Sequence, residues 1–307
     1  LKHGDTDKLY VMLTMDVLPP EGPDIIPGAD SWEDAERSLK GFISGVQDVG
    51  GSGTLFVTPG ALERFADIVG DAESPNMEVG LLCHPQLEGY QSYLGSYSLD
   101  RQRDVLRTVG RSWEKVRGDR PETFRAGFFS ANDYTYQALC LEGYRQGSCS
   151  LPGRIDLEQC CQWQKTPVYP HHTDPLNRKV VGTMEFYEVP VTSLAGATPE
   201  CPEDVKIYTP PHLRIEDVVI NEHAAGVIES VLDVMEEERV GVRSLLFVTH
   251  NAVGWGGGDD PHLERLKNLM ELLEDIAGSR RMEVVPTTIK NLHVVADKQW
   301  NGLELDF

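Results

Sequence analysis

What most narrows the fold of this chain is the near-continuous alternation of strand-like and helix-like segments along its 307 residues. Residues 9–14 are an apolar run of β-formers that ends close to a lone acid, Asp16. Ser31 opens a helix whose apolar positions Ala35, Leu39, Phe42, Ile43 and Val46 keep helical spacing, with Asp34 in a capping-box position. Glycines at 50, 51 and 53 break it. Residues 55–58 read as a second strand, 60–69 as a short helix, and 78–83 as a third strand running into His84-Pro85. Leu99, Leu106, Val109, Trp113 and Val116 mark one face of a long helix. The next strand is expected at 123–129, with one of Phe128 and Phe129 facing inward. A helix follows that Asn132 caps and Gly143 ends. Phe186 opens another strand over 186–191, and a helix from about Asp217 carries Val227, Val231 and Val234. Residues 245–249 are the clearest strand and deliver His250. An amphipathic helix on Leu263, Leu266, Leu269, Met270, Leu273 and Ile276 stops at Gly278. A strand at 282–285 and a helix from near Thr288 complete the series.

Seven or eight such β-then-α units require a parallel sheet, either closed as a barrel or open and doubly wound. The number of units, and the lack of a glycine-rich dinucleotide turn after the first strand, favour an α/β barrel of the (β/α)7-8 kind. Gly256-Gly257-Gly258 follows Trp255 and reads as a loop. No internal repeat, low-complexity tract or linker divides the sequence, so one domain over 1–307 is expected. Residues 150–182, where Pro, Gly, Cys and His fall without period, are expected to form an irregular insertion.

Composition removes some classes of function. The net charge of −21 argues against a nucleic-acid partner, because phosphates would be repelled. No run approaches the ~18 apolar residues needed to span a bilayer, so a soluble chain is expected. Six cysteines (83, 140, 149, 160, 161 and 201) include no C-x-x-C pair, and a domain of this size needs no covalent staples. Free thiols in a reducing, cytoplasmic compartment are the expectation. No leader is visible, but the sequence opens on Leu1, so little rests on that.

Several strands end in a chemically useful side chain, and in a parallel barrel those ends converge on one face. Asp16 follows the first strand, His84 the third and His250 the late one, while Arg125 lies within the fourth. Each has a bland reading: an Asp after a strand is more often a turn residue, a His before Pro is usually structural, and an Arg can pair at a barrel rim. Four together are harder to dismiss. Trp255 is open to two readings, a platform for a sugar ring or a loop anchor. Trp113 and Tyr134 fit helix faces and are expected in the core. Glu236-Glu237-Glu238 reads as a solvated helix end, and Asp259-Asp260 before Pro261 as a helix start.

These residues carry a resemblance. Thr14-Met15-Asp16-Val17, the run from Glu78 to Pro85, Phe124-Arg125-Ala126-Gly127 with Asn132-Asp133, and Phe247-Val248-Thr249-His250 stand in the order of the polysaccharide-deacetylase motifs. From about residue 9 to residue 290 the chain resembles that family, also called NodB-like or carbohydrate esterase family 4, as a divergent member. The resemblance implies a distorted (β/α)7-8 barrel that hydrolyses an N-acetyl group from an amino sugar. It implies a divalent metal, zinc or cobalt, that polarises the carbonyl and activates water. Asp16 matches the catalytic base, Arg125 the arginine that orients it, and His250 the histidine that protonates the leaving amine. Asp16 and His84 are the implied metal ligands. A carbohydrate or other N-acetylated small molecule is the implied substrate.

The sequence departs from the family at its metal. Val17 and Leu18 stand where a second acid is usual, and the next acid is Glu21. The first of two second-motif histidines falls on Leu82, which offers no ligand, whereas a zinc site needs three protein ligands as a rule. One outcome is a rebuilt site of Asp16, His84 and an outside ligand such as Glu21, His171 or His172. Cys83 is a weaker candidate because its side chain should face the other side of the strand. A second outcome is metal-independent chemistry; hydrolysis of a small non-sugar amide on the same scaffold is a separate enzyme reading. A third is a deacetylase-like protein that binds a glycan without cleaving it. For His171 and His172, two exposed loop histidines is an equally open reading.

Overall fold

The computed structural model describes residues 7–20, 28–194, 205–217, 222–257 and 260–303. In chain order the elements are β1 (Asp7–Val17), α1 (Trp32–Asp48), β2 (Gly53–Val57), α2 (Pro59–Ala72), β3 (Met77–Cys83), α3 (Leu99–Arg117), β4 (Thr123–Ala126), α4 (Thr135–Leu141) and β5 (Gln146–Gly147). Then come β6 (Ile155–Asp156), β7 (Cys161–Gln162), β8 (His171–His172), β9 (Tyr187–Glu188), β10 (Ile207–Tyr208), α5 (Glu222–Glu237), β11 (Arg243–His250), α6 (His262–Ser279), β12 (Met282–Pro286) and α7 (Ile289–Leu303).

The main sheet runs β11-β1-β2-β3-β4-β5-β9-β8. Neighbours are parallel from β11 through β9, and β8 is antiparallel to β9. β12 pairs with Asp7–Val11 of β1, below the Leu13–Val17 stretch that pairs with β2. Irregular chain bridges the gap between β9 and β11. Leu213 donates its amide to Thr192 O at 2.9 Å and Val248 donates to Leu213 O at 3.0 Å, while Leu246 N bonds Thr192 Oγ1 at 2.8 Å. The sheet therefore curls into the distorted α/β barrel expected. It is completed by segments without regular strand structure. β6, β7 and β10 form a small separate sheet over the insertion.

Strand alternation sorts β1 into two faces. Leu9, Val11, Leu13, Met15 and Val17 join the outer core beneath the helices, with Leu39, Phe42, Phe65, Val109 and Trp113. Tyr10 and Met12 turn inward to a second cluster with Phe56, Leu82, Leu151, Tyr187 and Leu246. Thr14 and Asp16 continue that inward row. α1 starts as its sequence requires: the Ser31 side chain accepts from Asp34 N at 3.1 Å.

α7 lies across the N-terminal end of the barrel. Ile289, Leu292 and Ala296 enter the inner cluster. Lys290 N donates to Glu78 Oε2 at 3.1 Å, and Asn291 Nδ2 to Pro75 O at 3.0 Å, both at the start of β3. His293 Nδ1 lies 3.0 Å from Gln146 Oε1 at the start of β5. The helix thus plugs the mouth opposite the strand ends that hold Asp16 and His250.

Several local expectations change. The fourth strand stops at Ala126, and Phe128 and Phe129 follow it with φ of 58° and 57°, left-handed values that strain bulky residues. The expected strand over 186–191 is regular only at Tyr187–Glu188. Trp113 is in the core, but Tyr134 is exposed. Trp255 is wholly buried, edge-on to Phe42 and stacked on His262, so it anchors its loop and offers no face to a sugar. The five described cysteines are free thiols. Glu21, Cys201 and Asp259 lie outside the described residues. No described helix is long and apolar enough to cross a membrane.

Glu188 of β9 is buried outside the barrel lumen, where it accepts from the amides of Cys149 and Ser150 and from the Ser150 hydroxyl at 2.7 Å. Burial pushes its pKa up from 4.5 to about 7, against those hydrogen bonds. The folded chain then keeps a proton that the unfolded chain gives up. The stability this supplies is full below pH 4.5 and is lost as pH rises toward 7. Glu188→Gln, which cannot ionise, should flatten this dependence in urea unfolding followed between pH 5 and 8. Equal pH slopes for parent and variant would contradict the assignment.

Candidate functional site

Residues 14, 16, 125 and 250 come together at the C-terminal ends of β1, β4 and β11. Asp16 is level with His250 in the β1–β11 register, and Arg125 is level with Leu82 in β3. The Arg125 side chain is fully buried while Asp16 keeps 26 % exposure, and Arg125 Nη1 donates to Asp16 Oδ1 at 2.7 Å. Its Nη2 reaches Thr14 Oγ1 at 3.0 Å and its Nε the Ser148 carbonyl at 3.3 Å. The Phe56 ring lies under the guanidinium, 4.0 Å from centroid to Cζ. Every nitrogen of a buried cation thus has an acceptor, and the charge-assisted bond orients a carboxylate that remains in reach of solvent.

Asn251 fastens the two strand ends. It donates its amide to Asp16 O at 3.0 Å, and its side chain accepts from Leu18 N and donates to Leu18 O at 3.1 and 2.8 Å. His250 is held on its other side by Arg214, whose Nη2 is 3.2 Å from Nε2; Arg214 Nε in turn donates to Glu216 at 2.7 Å. Because a guanidinium can only donate, Nε2 accepts and the ring proton belongs on Nδ1, which is buried without a hydrogen-bond partner. Burial lowers the His250 pKa below 6.5, with Glu216 opposing and Arg214 assisting. The ring is therefore neutral at pH 7, with its N–H turned into the protein interior. The imidazolium that the resemblance implies as acid is disfavoured.

The strand ends do not suit the family's metal. Leu82 faces the lumen inside the inner apolar cluster, where the missing histidine would stand. His84 is buried against Gly127, where any Cβ would overlap its ring, and lies edge-on to Phe128 at 4.9 Å. Its Nδ1 has no hydrogen-bond partner, and burial lowers its pKa to about 4. Cys83 points outward into the other core, as alternation requires. Among the described residues, no group of three potential ligands includes Asp16 or His84. The outside ligands proposed from the loop are elsewhere. His171 is buried with Nδ1 on Tyr169 O, and His172 faces His293 and Asp297 beside α7.

Thr14 was within reach of sequence reasoning, since it lies two residues before Asp16 on one strand face. Arg214 and Glu216 were not, because the segment around Pro210 and Pro211 carries no period.

No family model matches this sequence, and no curated protein resembles it in sequence. Solved structures do resemble its fold. A protein of Mycobacterium smegmatis put forward as a polysaccharide deacetylase is 15 % identical, with 97 % of this chain and 93 % of the other covered and a TM-score of 0.55. One of Parabacteroides distasonis put forward as a glycoside hydrolase or deacetylase is 12 % identical, with 96 % and 72 % covered and a TM-score of 0.63. The allantoinase Puue is 12 % identical, with 93 % and 89 % covered and a TM-score of 0.55. The fold is thus the polysaccharide-deacetylase barrel.

Removing the Arg125 side chain would leave the Asp16 carboxylate, the Thr14 hydroxyl and the Ser148 carbonyl without their partner. Arg125→Ala should lose roughly 3–5 kcal/mol of stability in urea unfolding. A loss under about 1 kcal/mol, the scale of a surface ion pair, would contradict this account of the pair.

Proposed function

We propose that this chain is a deacetylase-type hydrolase that cleaves the amide C–N bond of an N-acylated amino sugar or glycan. The observation that carries the proposal is the Asp16–Arg125 pair: a fully buried cation holding a partly exposed carboxylate at the C-terminal ends of a barrel's strands. Asp16 acts as general base, taking a proton from water as its oxygen attacks the acyl carbon. The C–N bond then breaks, the proton passes to the departing nitrogen, and the products are a carboxylic acid and a free amine. Arg125 fixes the base in position. His250, level with Asp16 in the β1–β11 pairing and held by Arg214, acts as a positioning residue for the strand end that carries the base. No step is assigned to zinc or another metal, because among the described residues the donors at these strand ends do not make a three-ligand set. Substrates of this kind fit the proteins of similar fold that are put forward as deacetylases.

Acetate release from N-acetylglucosamine oligomers is the direct test. Asp16→Asn should lower kcat by roughly 10²–10⁴, while the parent enzyme stripped with a chelator keeps its activity. Unchanged turnover in Asp16→Asn, or binding without acetate release in the parent, would contradict the proposal. The pH profile makes a second test. Protonated His250 cannot accept from Arg214, so kcat/KM should fall on the acid side with a midpoint below 6.5. An acid limb centred above 6.5 would remove His250 from the mechanism.

A further inference from the structure

The far end of the barrel holds a second cluster that the proposed hydrolysis does not use. His172 of β8 and His293 and Asp297 of α7 bring two imidazoles and a carboxylate within 4.8 Å of one another. They line an open cavity of about 410 Å³ together with Arg145, Thr183, Met184 and Glu185. The topology separates this place from Asp16. His172 is level with Tyr187 in β9, which is level with Gln146 in β5 and so with Thr123, the first residue of β4. α7 covers these strand starts.

Each histidine is already set for coordination. His172 Nδ1 lies 2.9 Å from the Met184 carbonyl, and His293 Nδ1 lies 3.0 Å from Gln146 Oε1. Both partners accept only, so Nδ1 carries the proton in each ring and Nε2 carries the lone pair. Gln146 is fixed in turn, since its Nε2 donates to Thr123 Oγ1 at 2.7 Å. The His293 ring is also stacked flat on Tyr187, with centroids 4.9 Å apart. A carbonyl or amide oxygen behind each imidazole is the arrangement that fixes tautomer and aim in metal sites.

The Nε2 atoms face Asp297 Oδ1 at 3.6 Å from His172 and 3.5 Å from His293. Those separations are too long for hydrogen bonds. They are close to the edge of a tetrahedron with metal–ligand bonds of about 2.0–2.1 Å, which is about 3.3–3.4 Å. Two Nε2 lone pairs that converge on a carboxylate repel it unless a cation, a metal ion or a proton, lies between them. Arg145 is the competing charge in the cavity, and it is paired with Glu185 at 3.3 Å.

The geometry points to a divalent transition-metal site on His172 Nε2, His293 Nε2 and Asp297, of the kind zinc or cobalt takes, which clamps α7 to the β8–β9 hairpin. Two imidazoles and one carboxylate suit these ions, and water or Glu185 completes the shell. The site is independent of the proposed hydrolysis, because it sits at the opposite mouth of the barrel.

The test is titration of the metal-stripped full chain with Zn²⁺ or Co²⁺ by calorimetry, with thermal unfolding alongside. The parent should bind about one ion per chain and melt at a higher temperature with metal. His172→Gln and Asp297→Asn should each weaken binding at least tenfold and abolish the metal-dependent rise. Gln146→Leu should weaken it about 10–100-fold by freeing the His293 ring. His84→Ala and Asp16→Asn should bind as the parent does. Asp297 is half-exposed, so Asp297→Asn tests the ligand without risk to the core. No binding by the parent, binding unchanged in both His172→Gln and Asp297→Asn, or binding lost in Asp16→Asn would each overturn the assignment.

Discussion

A guanidinium buried inside a barrel has to be satisfied by the barrel, and Arg125 of β4 ties β1, β2 and the chain after β5 together for that reason. Its donors reach β1 through Asp16 and Thr14 and the chain after β5 through Ser148, while its face rests on Phe56 of β2. The cost of withdrawing such a charge from water is met only if all these partners hold their places. That demand fixes the tops of β1 and β4 relative to one another, and Asn251 extends the same constraint to β11. What remains partly open to solvent is the carboxylate itself. A base held at one point and exposed at another is a usable catalytic group.

The lumen below this pair is apolar and closed. Leu82, Phe56, Tyr10, Met12 and Leu246 fill it, and α7 seals the bottom with Ile289 and Leu292. Polar chemistry is thereby confined to the two mouths. At the upper mouth stand Asp16, Arg125 and His250; at the lower, Glu78, Gln146 and His293 hold the helix to the strand starts. The leucine that interrupts the family's metal motif is a packing residue of this lumen. Its replacement by histidine would have to find room and a partner among apolar side chains.

Much of this was legible in the sequence. The apolar run over 9–14 puts Asp16 at the end of the first strand, and the order of the motifs sets Arg125 and His250 beside it, so strand ends and motif order carried the pair and its neighbour. The barrel class followed from the repeating units. What could not be read depends on long-range closure. Arg214 reaches His250 because irregular chain pairs with Leu246 and Val248, and nothing in a Pro-rich segment without period announces that pairing. The apolar run after Arg125 reads as more strand, whereas the backbone turns left-handed at Phe128 and Phe129 to lay Phe128 against His84. The distance in sequence between His172 and α7 likewise hides how β8 and the last helix meet, away from Asp16.

The central claim is that Asp16 performs the chemistry at these strand ends without a metal beside it. A crystal structure of Asp16→Asn soaked with an N-acetylglucosamine oligomer and zinc tests it most directly. The account predicts an acetamido carbonyl carbon near residue 16, with a water about 3–3.5 Å from it, and no anomalous metal peak between residue 16 and His84. A sugar seated away from the strand ends, or a metal peak on the His84 ring, would contradict it.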